Sequence, residues 1–170
     1  IIGASGFIGG FLVKEILKEP VREVILYDNF TRGKLDNIKD SIKDPRCHIF
    51  PYGGDVREVD VLDKAMEGVD YVFHLAAMWL LHCKDFPRTA FEVNIAGTFN
   101  VLESCVKHKV KKLVYSSSAS VYGIQDHFPI AEDALNWPIS AHGIHKLAVE
   151  KFLMLAHWER KLDVRILRLS

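Results

Sequence analysis

The chain has 170 residues, of which 49% are apolar, and its 22 basic and 22 acidic side chains give a formal charge of zero. This composition predicts one globular domain with a sizeable core and excludes a disordered chain. No basic tract favours nucleic acid, and no apolar run is long enough to span a bilayer, so we expect neither nucleic acid nor a membrane as a partner.

Strand-like apolar runs alternate with helical patterns along the chain. The predicted strands are Ile1–Ile2, Glu23–Tyr27, Cys47–Pro51, Tyr71–His74, Lys112–Ser116 and Val164–Leu169. The predicted helices are Phe7–Lys18, Val59–Met66, Arg88–Lys107 and Ala141–Lys161, with a short helical piece near Asn37–Ile42. This alternation predicts an α/β fold with a doubly wound parallel sheet. Ligands of such sheets bind beyond the carboxyl ends of the strands, so the residues that follow each strand are the candidate site.

The first predicted strand has two residues, whereas a strand usually has about five or six. We therefore expect residues 1–170 to be one nucleotide-binding domain cut at both ends, with most of a C-terminal substrate-binding part missing. The three cysteines, Cys47, Cys83 and Cys105, are scattered and lack C-x-x-C spacing. This pattern favours buried, reduced thiols in a cytoplasmic protein, and it does not favour a metal site.

A G-x-x-G-x-x-G run, formed by Gly3, Gly6 and Gly9, connects the first strand to the first helix. Glycines at such a turn let the backbone come close to a pyrophosphate. The free amides at the start of the helix, including those of Phe7 and Ile8, would bind the anion. A tight turn without a ligand is the alternative interpretation.

Asp28 directly follows the second predicted strand, 19 residues after Gly9, where an acidic residue takes the adenosine ribose hydroxyls in a dinucleotide fold. At about 4 Å, with an effective dielectric constant of about 20, a carboxylate repels a 2′-phosphate by about 4 kcal/mol per charge pair. This repulsion favours NAD over NADP. Arg32 in the following loop leaves NADP open, because it could approach a 2′-phosphate.

The third and fourth strands end in two further candidate segments. After the third strand, Asp55 is positioned to accept from the adenine amino group and Val56 to cover the ring; alternatively, Asp55 caps the next helix. After the fourth strand, Ala76 and Ala77 are small enough to let the cofactor lie close to the backbone. His74, at the end of that strand, is interpreted as a packed core histidine.

Asn94 is a polar residue among apolar neighbours in the third helix, so its side chain needs a partner. We expect it to order the central sheet or the site through a water or a main-chain contact. Gly97 in the same helix costs about 1 kcal/mol relative to alanine, which close packing would explain.

The remaining candidates come after the fifth strand and at the start of the last helix. The hydroxyl cluster Ser116–Ser120 suits hydrogen bonding to a substrate hydroxyl, although ordinary turn chemistry would also explain it. His142 and Lys146 are four residues apart and therefore share one face of the helix. A proton-transfer group beside a cation is a plausible acid–base unit.

Taken in this order, these segments resemble the extended short-chain dehydrogenase/reductase family, and within it the NAD-dependent nucleotide-sugar epimerases and dehydratases. The resemblance covers essentially the whole chain. It rests on Gly3/Gly6/Gly9, Asp28-Asn29-Phe30-Thr31-Arg32-Gly33, Gly54-Asp55-Val56, His74-Leu75-Ala76-Ala77, Asn94 with Gly97-Thr98, Ser116–Gly123, and Lys146 with Glu150.

The resemblance implies a Rossmann fold and a tightly held NAD that oxidises the C4 hydroxyl of a UDP-sugar to a transient 4-keto form and then reduces it, often from the other face. It implies that Ser118 bonds the reacting oxygen and that Lys146 holds the nicotinamide ribose and lowers the pKa of the base. It places Asn29, Gly33, Leu75, Asn94 and Ser116 with the cofactor-binding residues. It also implies a homodimer formed through the two long helices.

His142 departs from the family pattern, in which the base is the tyrosine of a Y-x-x-x-K motif. Free imidazole titrates near pH 6.5 and phenol near pH 10, a gap of roughly 5 kcal/mol in basicity. Cationic neighbours that lower a phenol to a useful pKa would push an imidazole below its free value. We expect His142 to reduce or abolish turnover while NAD binding stays intact.

Two other functions remain open at this level. A non-catalytic NAD-binding sensor or scaffold would agree with His142, and it predicts cofactor binding without turnover. Another NAD(P)-dependent oxidoreductase of the same family, acting on a steroid, flavonoid or similar alcohol, or a dehydratase, is the second alternative. A dehydratase would need an acidic pair beside Ser118. Ala119 and Ser120 follow Ser118 instead, which favours an epimerase.

Overall fold

A computed structural model describes residues 1–170 and contains five strands, all of them in parallel pairs. The strands are β1 (Val24–Leu26), β2 (Cys47–Ile49), β3 (Tyr71–His74), β4 (Lys112–Ser118) and β5 (Asp163–Leu169). β1 pairs with β2, and β3, β4 and β5 pair in that order. The parallel, doubly wound α/β fold is therefore confirmed.

Ile2 links the two groups of strands, because it forms parallel bridges to both Tyr27 and His74. Its amide donates to the carbonyl of Phe73 at 2.8 Å, and its carbonyl accepts from Leu75 at 2.8 Å. The predicted first strand is thus reduced to one bridged position, since the chain turns at once at Gly3, whose φ is +82°. This connection places the glycine-rich turn between the ends of β1 and β3.

Six α-helices flank the strands. They are α1 (Phe7–Ile16), α2 (Val59–Ala65), α3 (Leu80–Asp85), α4 (Pro87–Phe91), α5 (Thr98–Lys107) and α6 (Ala141–Arg160). A π-helical segment, Glu92–Gly97, joins α4 to α5, and the 3₁₀ turns are Leu35–Asn37, Ser41–Lys43 and Ala119–Val121. No helix combines the length and the apolar character that crossing a membrane requires.

All five predicted helical segments differ from the structure in their bounds, and the first two differ only in ending earlier, at Ile16 and Ala65. The predicted helix Arg88–Lys107 is interrupted by the π-helical segment and starts one residue earlier, at Pro87. The predicted piece Asn37–Ile42 is replaced by two 3₁₀ turns on either side of it. The last helix ends at Arg160, because Lys161 adopts a left-handed conformation with φ of 56°.

The core consists of two apolar clusters on opposite faces of the strands. The larger cluster joins β3 and β4 to α2, α5 and α6 through buried residues such as Leu62, Val101, Leu113 and Leu153. The smaller one, Ala4, Val13, Val24, Leu26, Ile38 and Cys47, lies under α1. Leu26 and Tyr27 belong to different clusters, as expected of successive residues in a strand. The three cysteines are buried and unpaired, as the sequence predicts.

Candidate functional site

The glycine-rich turn brings backbone against backbone at the carboxyl end of the strands. A side chain at Gly3 would place its Cβ 2.7 Å from the amide nitrogen of Ala76, and one at Gly9 would overlap the carbonyl of Gly3. α1 begins after Gly6 without a side-chain cap, so its first amides have no side-chain acceptor. Oriented, unpaired amides at a helix start form a binding site for an anion.

A cleft of about 720 Å³ opens above this turn. It is lined by thirteen of the residues that the sequence predicts for cofactor binding: Gly3, Gly6, Phe7, Ile8, Asp28, Asn29, Arg32, Gly33, Asp55, Val56, Leu75, Ala76 and Ala77. The predicted residues Gly9, Asn94, Ser116 and Lys146 do not line it. The volume and the converging backbone and carboxylate groups fit an extended small molecule.

Asp28 connects the glycine-rich turn to the end of β1. Its carboxylate accepts from the backbone amide of Ser5 at 2.8 Å and from that of Phe30 at 2.9 Å. An ionised carboxylate has about four acceptor positions, so two remain for the hydroxyls of a ligand. The side chain is therefore fixed in orientation and still able to accept.

Asp55 is held by a cation in the structure. Arg57 donates to it at 2.6 and 3.0 Å, and this pairing holds the pKa of the carboxyl below its usual range. The alternative that Asp55 caps α2 is wrong, because the helix starts after Glu58. The carboxylate instead accepts from the amide of Arg57, two residues on, at 2.9 Å.

His74 is fully buried, as predicted for a core histidine. Its Nε2 lies 2.9 Å from Oγ1 of Thr98, while its Nδ1 has no partner. Burial, and then the nearby Lys146, lower its pKa to about 3. His74 is therefore a neutral packing residue beneath the site.

Asn94 fulfils the prediction of a main-chain contact but does not reach the cleft. Its side-chain oxygen accepts from the amide of Met78 at 2.7 Å, and its side-chain nitrogen donates to the carbonyl of the same residue at 3.0 Å. The side chain is buried and both of its ends are engaged. In the structure it holds the loop after β3, which does line the cleft, and its role in cofactor binding stays a prediction.

Of the predicted catalytic residues, Ser118 ends β4, and His142 and Lys146 lie in the first turns of α6. Ser118 Oγ accepts from the amide of Ser120 at 3.1 Å, and Ser120 Oγ lies 3.3 Å from Nδ1 of His142. Lys146 is buried, donates to the carbonyl of Ser116 at 2.5 Å and lies over the ring of Tyr115. These groups lie outside the lining of the large cleft.

Two pKa values in this group are lowered. Burial is the first cause for His142, followed by the charge of Lys146 and then His145, and together they bring its pKa to about 4. The sequence predicts that the pKa of His142 is lowered and that Lys146 contributes to this shift. Only the structure shows that burial is its main cause. Burial lowers the pKa of Lys146 to about 8.

An ion pair between the buried Glu150 and the partly buried Arg168, which the sequence analysis missed, contacts β4. Glu150 accepts from Arg168 at 2.8 Å and also from the hydroxyl of Ser117. Arg168 lies over the ring of Tyr122 and donates to its hydroxyl at 2.9 Å. The network fixes the strand end that carries Ser118.

Further cleft residues were also missed. They are Thr31, Lys34, Asn37, Gly54, Arg57, Met78, Trp79, His82, Thr89 and Val93. Seven of the ten follow a strand end within eight residues, so they belong to the same loops as the predicted residues; Asn37, Thr89 and Val93 lie further along the chain. Nowhere in residues 1–170 do three His, Cys, Asp or Glu side chains meet in a way that would hold a metal ion.

Comparisons of the sequence and of the structure with known proteins lead to the same family. The sequence model of the NAD dependent epimerase/dehydratase family matches residues 1–170. UDP-glucose 4-epimerase of Halalkalibacterium halodurans is 32% identical over 161 residues, covering 93% of this chain and 45% of that protein. The structure of UDP-N-acetylglucosamine 4-epimerase from Methanobrevibacter ruminantium superposes with a TM-score of 0.90 at 29% identity, covering 98% of this chain and 52% of that one.

A third similar protein is a dTDP-glucose 4,6-dehydratase from Streptomyces venezuelae, whose structure has NAD bound. It superposes with a TM-score of 0.91 at 30% identity, covering 98% of this chain and 53% of that one. The parallel sheet, the glycine-rich turn and the cleft define a dinucleotide-binding domain of the Rossmann class. The chain belongs to the NAD dependent epimerase/dehydratase family. It spans about half the length of the relatives that it matches.

Proposed function

We propose that residues 1–170 form one NAD-binding domain of an epimerase that inverts C4 of a UDP-sugar through a transient 4-keto form. The observation that carries this proposal is the junction of two sites at the carboxyl ends of the strands. The cleft with the glycine-rich turn and Asp28 follows the ends of β1 and β3, and Ser118 ends β4, which pairs with β3. Ser120 connects Ser118 to His142, and Lys146 bonds Ser116 of the same strand. Similarity to two 4-epimerases supports the choice of reaction.

The residues of the cleft fit a dinucleotide. Gly3 leaves space against Ala76 that a Cβ would fill, which lets a diphosphate approach the backbone. Asp28 keeps two acceptor positions for ribose hydroxyls, and its charge disfavours a 2′-phosphate. These features support NAD as the cofactor, with the adenosine at Asp28 and the diphosphate at the turn.

The side chains at the β4–α6 junction have separable roles in this mechanism. When bound, NAD supplies the oxidant that converts the sugar hydroxyl to a ketone. Ser118 accepts from an amide, so its hydroxyl proton is left to donate to the reacting oxygen. His142 takes up the hydroxyl proton, and Lys146 keeps donors available beyond Ser116 for the nicotinamide ribose.

His142 is proposed to impair this reaction. A pKa of about 4 leaves the imidazole neutral at pH 7 but weakly basic, far from the operating pH that a general base needs. A non-catalytic NAD-binding protein is therefore the second candidate, and His142 is the observation that favours it. A dehydratase fits less well, because Ala119 and Ser120 follow Ser118 where an acidic pair would be expected.

Assembly and location are part of the same proposal. α5 and α6 carry half-exposed aromatic side chains, among them Phe99 and Phe152, which suit a homodimer formed through the two long helices. The buried, unpaired cysteines agree with a reducing compartment such as the cytoplasm.

The test incubates the whole protein and NAD with UDP-glucose, UDP-galactose and their N-acetyl and uronic forms. Proton NMR of the anomeric signals follows the product. Inversion at C4 is the result expected of an impaired epimerase, at a low rate. Bound NAD with no product from any of these sugars would favour the non-catalytic candidate, and a protein without affinity for NAD would refute both.

A further inference from the structure

A contact between Arg32 and Trp79 joins two loops that line the proposed cofactor cleft, and it has no role in the mechanism described above. The Cζ of Arg32 lies 4.5 Å from the ring centroid of Trp79, over its face. Arg32 belongs to the loop after β1 and Trp79 to the loop after β3, and both line the cleft. Ile2 lies between these two strands, and the glycine-rich turn that follows it lines the same cleft as the contact.

Both sides of this contact are fixed by the surrounding structure. Next to Arg32, Gly33 packs against Ser5 so closely that a Cβ would overlap the Ser5 hydroxyl. The amide of Lys34 then donates to the carbonyl of Ser5 at 3.0 Å. Arg32 is therefore tied to the turn itself.

The aromatic side is anchored independently. Met78, the residue before Trp79, is held through its amide and its carbonyl by Asn94. The carbonyl of Trp79 accepts from Cys83 at 3.0 Å at the start of α3, and its ring meets that of His82 edge to face. The ring is thus presented to Arg32 by a rigid loop.

The charge of Arg32 is not used within the protein. Arg57, another cation of the cleft lining, forms a close pair with Asp55 at 2.6 Å. Arg32 has no carboxylate within ion-pair distance among residues 1–170, and its only close cation contact is the Trp79 ring. An aromatic face orients a guanidinium without neutralising it, so its N–H groups stay free for an anion.

We propose that Arg32 binds the diphosphate of NAD, that Trp79 is the positioning residue that holds the guanidinium over the glycine-rich turn, and that the pair closes the cleft over the cofactor. The inference rests on the proposed function, since it concerns the same cofactor. It assigns Arg32 to the diphosphate and not to a 2′-phosphate. Arg32 therefore does not favour NADP, and the preference for NAD over NADP that Asp28 sets is unchanged.

The test measures the affinity of the whole protein, freed of bound dinucleotide, for NAD, NADP and adenosine by calorimetry. Arg32→Ala is expected to weaken NAD binding roughly tenfold, as loss of a charge-assisted contact does, and to leave adenosine binding unchanged. Arg88→Ala removes an exposed arginine outside the cleft and serves as the matched control.

Trp79 is tested by two substitutions. Trp79→Phe keeps an aromatic face and is expected to retain NAD affinity within about threefold, whereas Trp79→Leu should lose as much affinity as Arg32→Ala. The double variant Arg32→Ala/Trp79→Leu should lose no more than either single variant, because both remove the same interaction. The slope of NAD affinity against salt should become shallower in Arg32→Ala.

Several results would overturn the inference. Equal NAD affinity in Arg32→Ala and Arg88→Ala would remove Arg32 from the diphosphate while leaving the proposed function in place. A loss confined to NADP would assign Arg32 to a 2′-phosphate, and additive losses in the double variant would separate Trp79 from Arg32. Absence of NAD binding in the unsubstituted protein would refute the proposed function itself.

Discussion

In the proposed mechanism His142 takes the position of the base, and its surroundings oppose the chemistry of that position. Burial and the neighbouring Lys146 both oppose the imidazolium form, and they bring the pKa of His142 to about 4. A phenol in the same place would respond in the opposite way to the cation, since Lys146 favours the phenolate. Lys146 therefore activates a tyrosine and weakens a histidine, whereas burial opposes the charged form of either side chain.

We predict that His142→Tyr raises kcat of the whole protein by roughly tenfold or more, within the range that a general base contributes. The affinity for NAD should change little, because His142 does not line the cleft that is proposed to bind the adenosine and the diphosphate. The measurement compares kcat by NMR assay and Kd for NAD by calorimetry in the two proteins.

The pH profile provides the control for this substitution. With its pKa lowered to about 4, the imidazole stays neutral between pH 5 and 8, so the turnover of the unsubstituted protein should not vary through base titration in that range. The tyrosine variant should gain activity as pH rises toward the pKa of the phenol. If turnover fails to increase, His142 does not occupy the position of the base.

Single residues also mark where sequence reasoning stops. Asp28 was predictable, because its distance from Gly9 and its place at a strand end are local properties of the chain. The contact of Arg32 with Trp79 was not, since these residues are brought together only by the bridges of Ile2 to β1 and β3. The pairing of Glu150 with Arg168 depends in the same way on the packing of α6 against β5.

At the scale of elements, the π-helical segment Glu92–Gly97 sets the shape of the site. A π-bulge places an extra residue in a helix, which changes the direction of the side chains around it. Here it directs Asn94 to the main chain of Met78 and brings Gly97 against Val56, a cleft residue. The segment thus joins the helix to two walls of the cleft.

We predict that Gly97→Ala destabilises the protein by about 1–3 kcal/mol, the range for overpacking a core. Its Cβ would overlap Cγ2 of Val56 and lie 3.1 Å from the Cβ of that residue. At an ordinary helix position the same change would stabilise by about 1 kcal/mol. Urea unfolding followed by circular dichroism measures the difference.

A double-mutant cycle identifies Val56 as the cause. In a Val56→Ala background the cost of Gly97→Ala should fall by about 1 kcal/mol or more, because the overlapping methyl is gone. Val106→Ala trims another valine that packs on the same core but does not face Gly97, and there the cost should be unchanged. Equal costs in both backgrounds would contradict the proposed contact.

The predicted helix Arg88–Lys107 has the right extent but lacks this interruption. Its apolar spacing is compatible with a continuous α-helix, and the sequence shows only that Asn94 and Gly97 are unusual within it. The partners that stabilise the π-helical segment, Met78 and Val56, lie in loops after β3 and β2. The spacing of apolar residues within a helix contains no information about partners in distant loops. The helical segment was therefore predictable from the sequence, and its π-helical interruption was not.

At the scale of the whole molecule, α5 and α6 present apolar side chains that the core does not use. Phe99 and Phe152 meet edge to face with ring centroids 5.7 Å apart, and they remain 39% and 44% exposed. Leu155, one turn further along α6, is 46% exposed. A contiguous apolar surface on two packed helices is typical of a protein–protein interface.

We predict that Phe152→Glu converts the proposed dimer to a monomer, because burying an unpaired carboxylate in an apolar interface costs several kcal/mol. Sedimentation velocity measures the change. Leu35→Glu places the same charge on another exposed leucine, away from α5 and α6, and should leave the dimer intact. Unchanged NAD affinity would show that the Phe152→Glu protein is folded, since the cleft lies on other elements. If this folded variant still sediments as a dimer, the subunits do not associate through α5 and α6, and His142 and Lys146 at the start of α6 act independently of the interface.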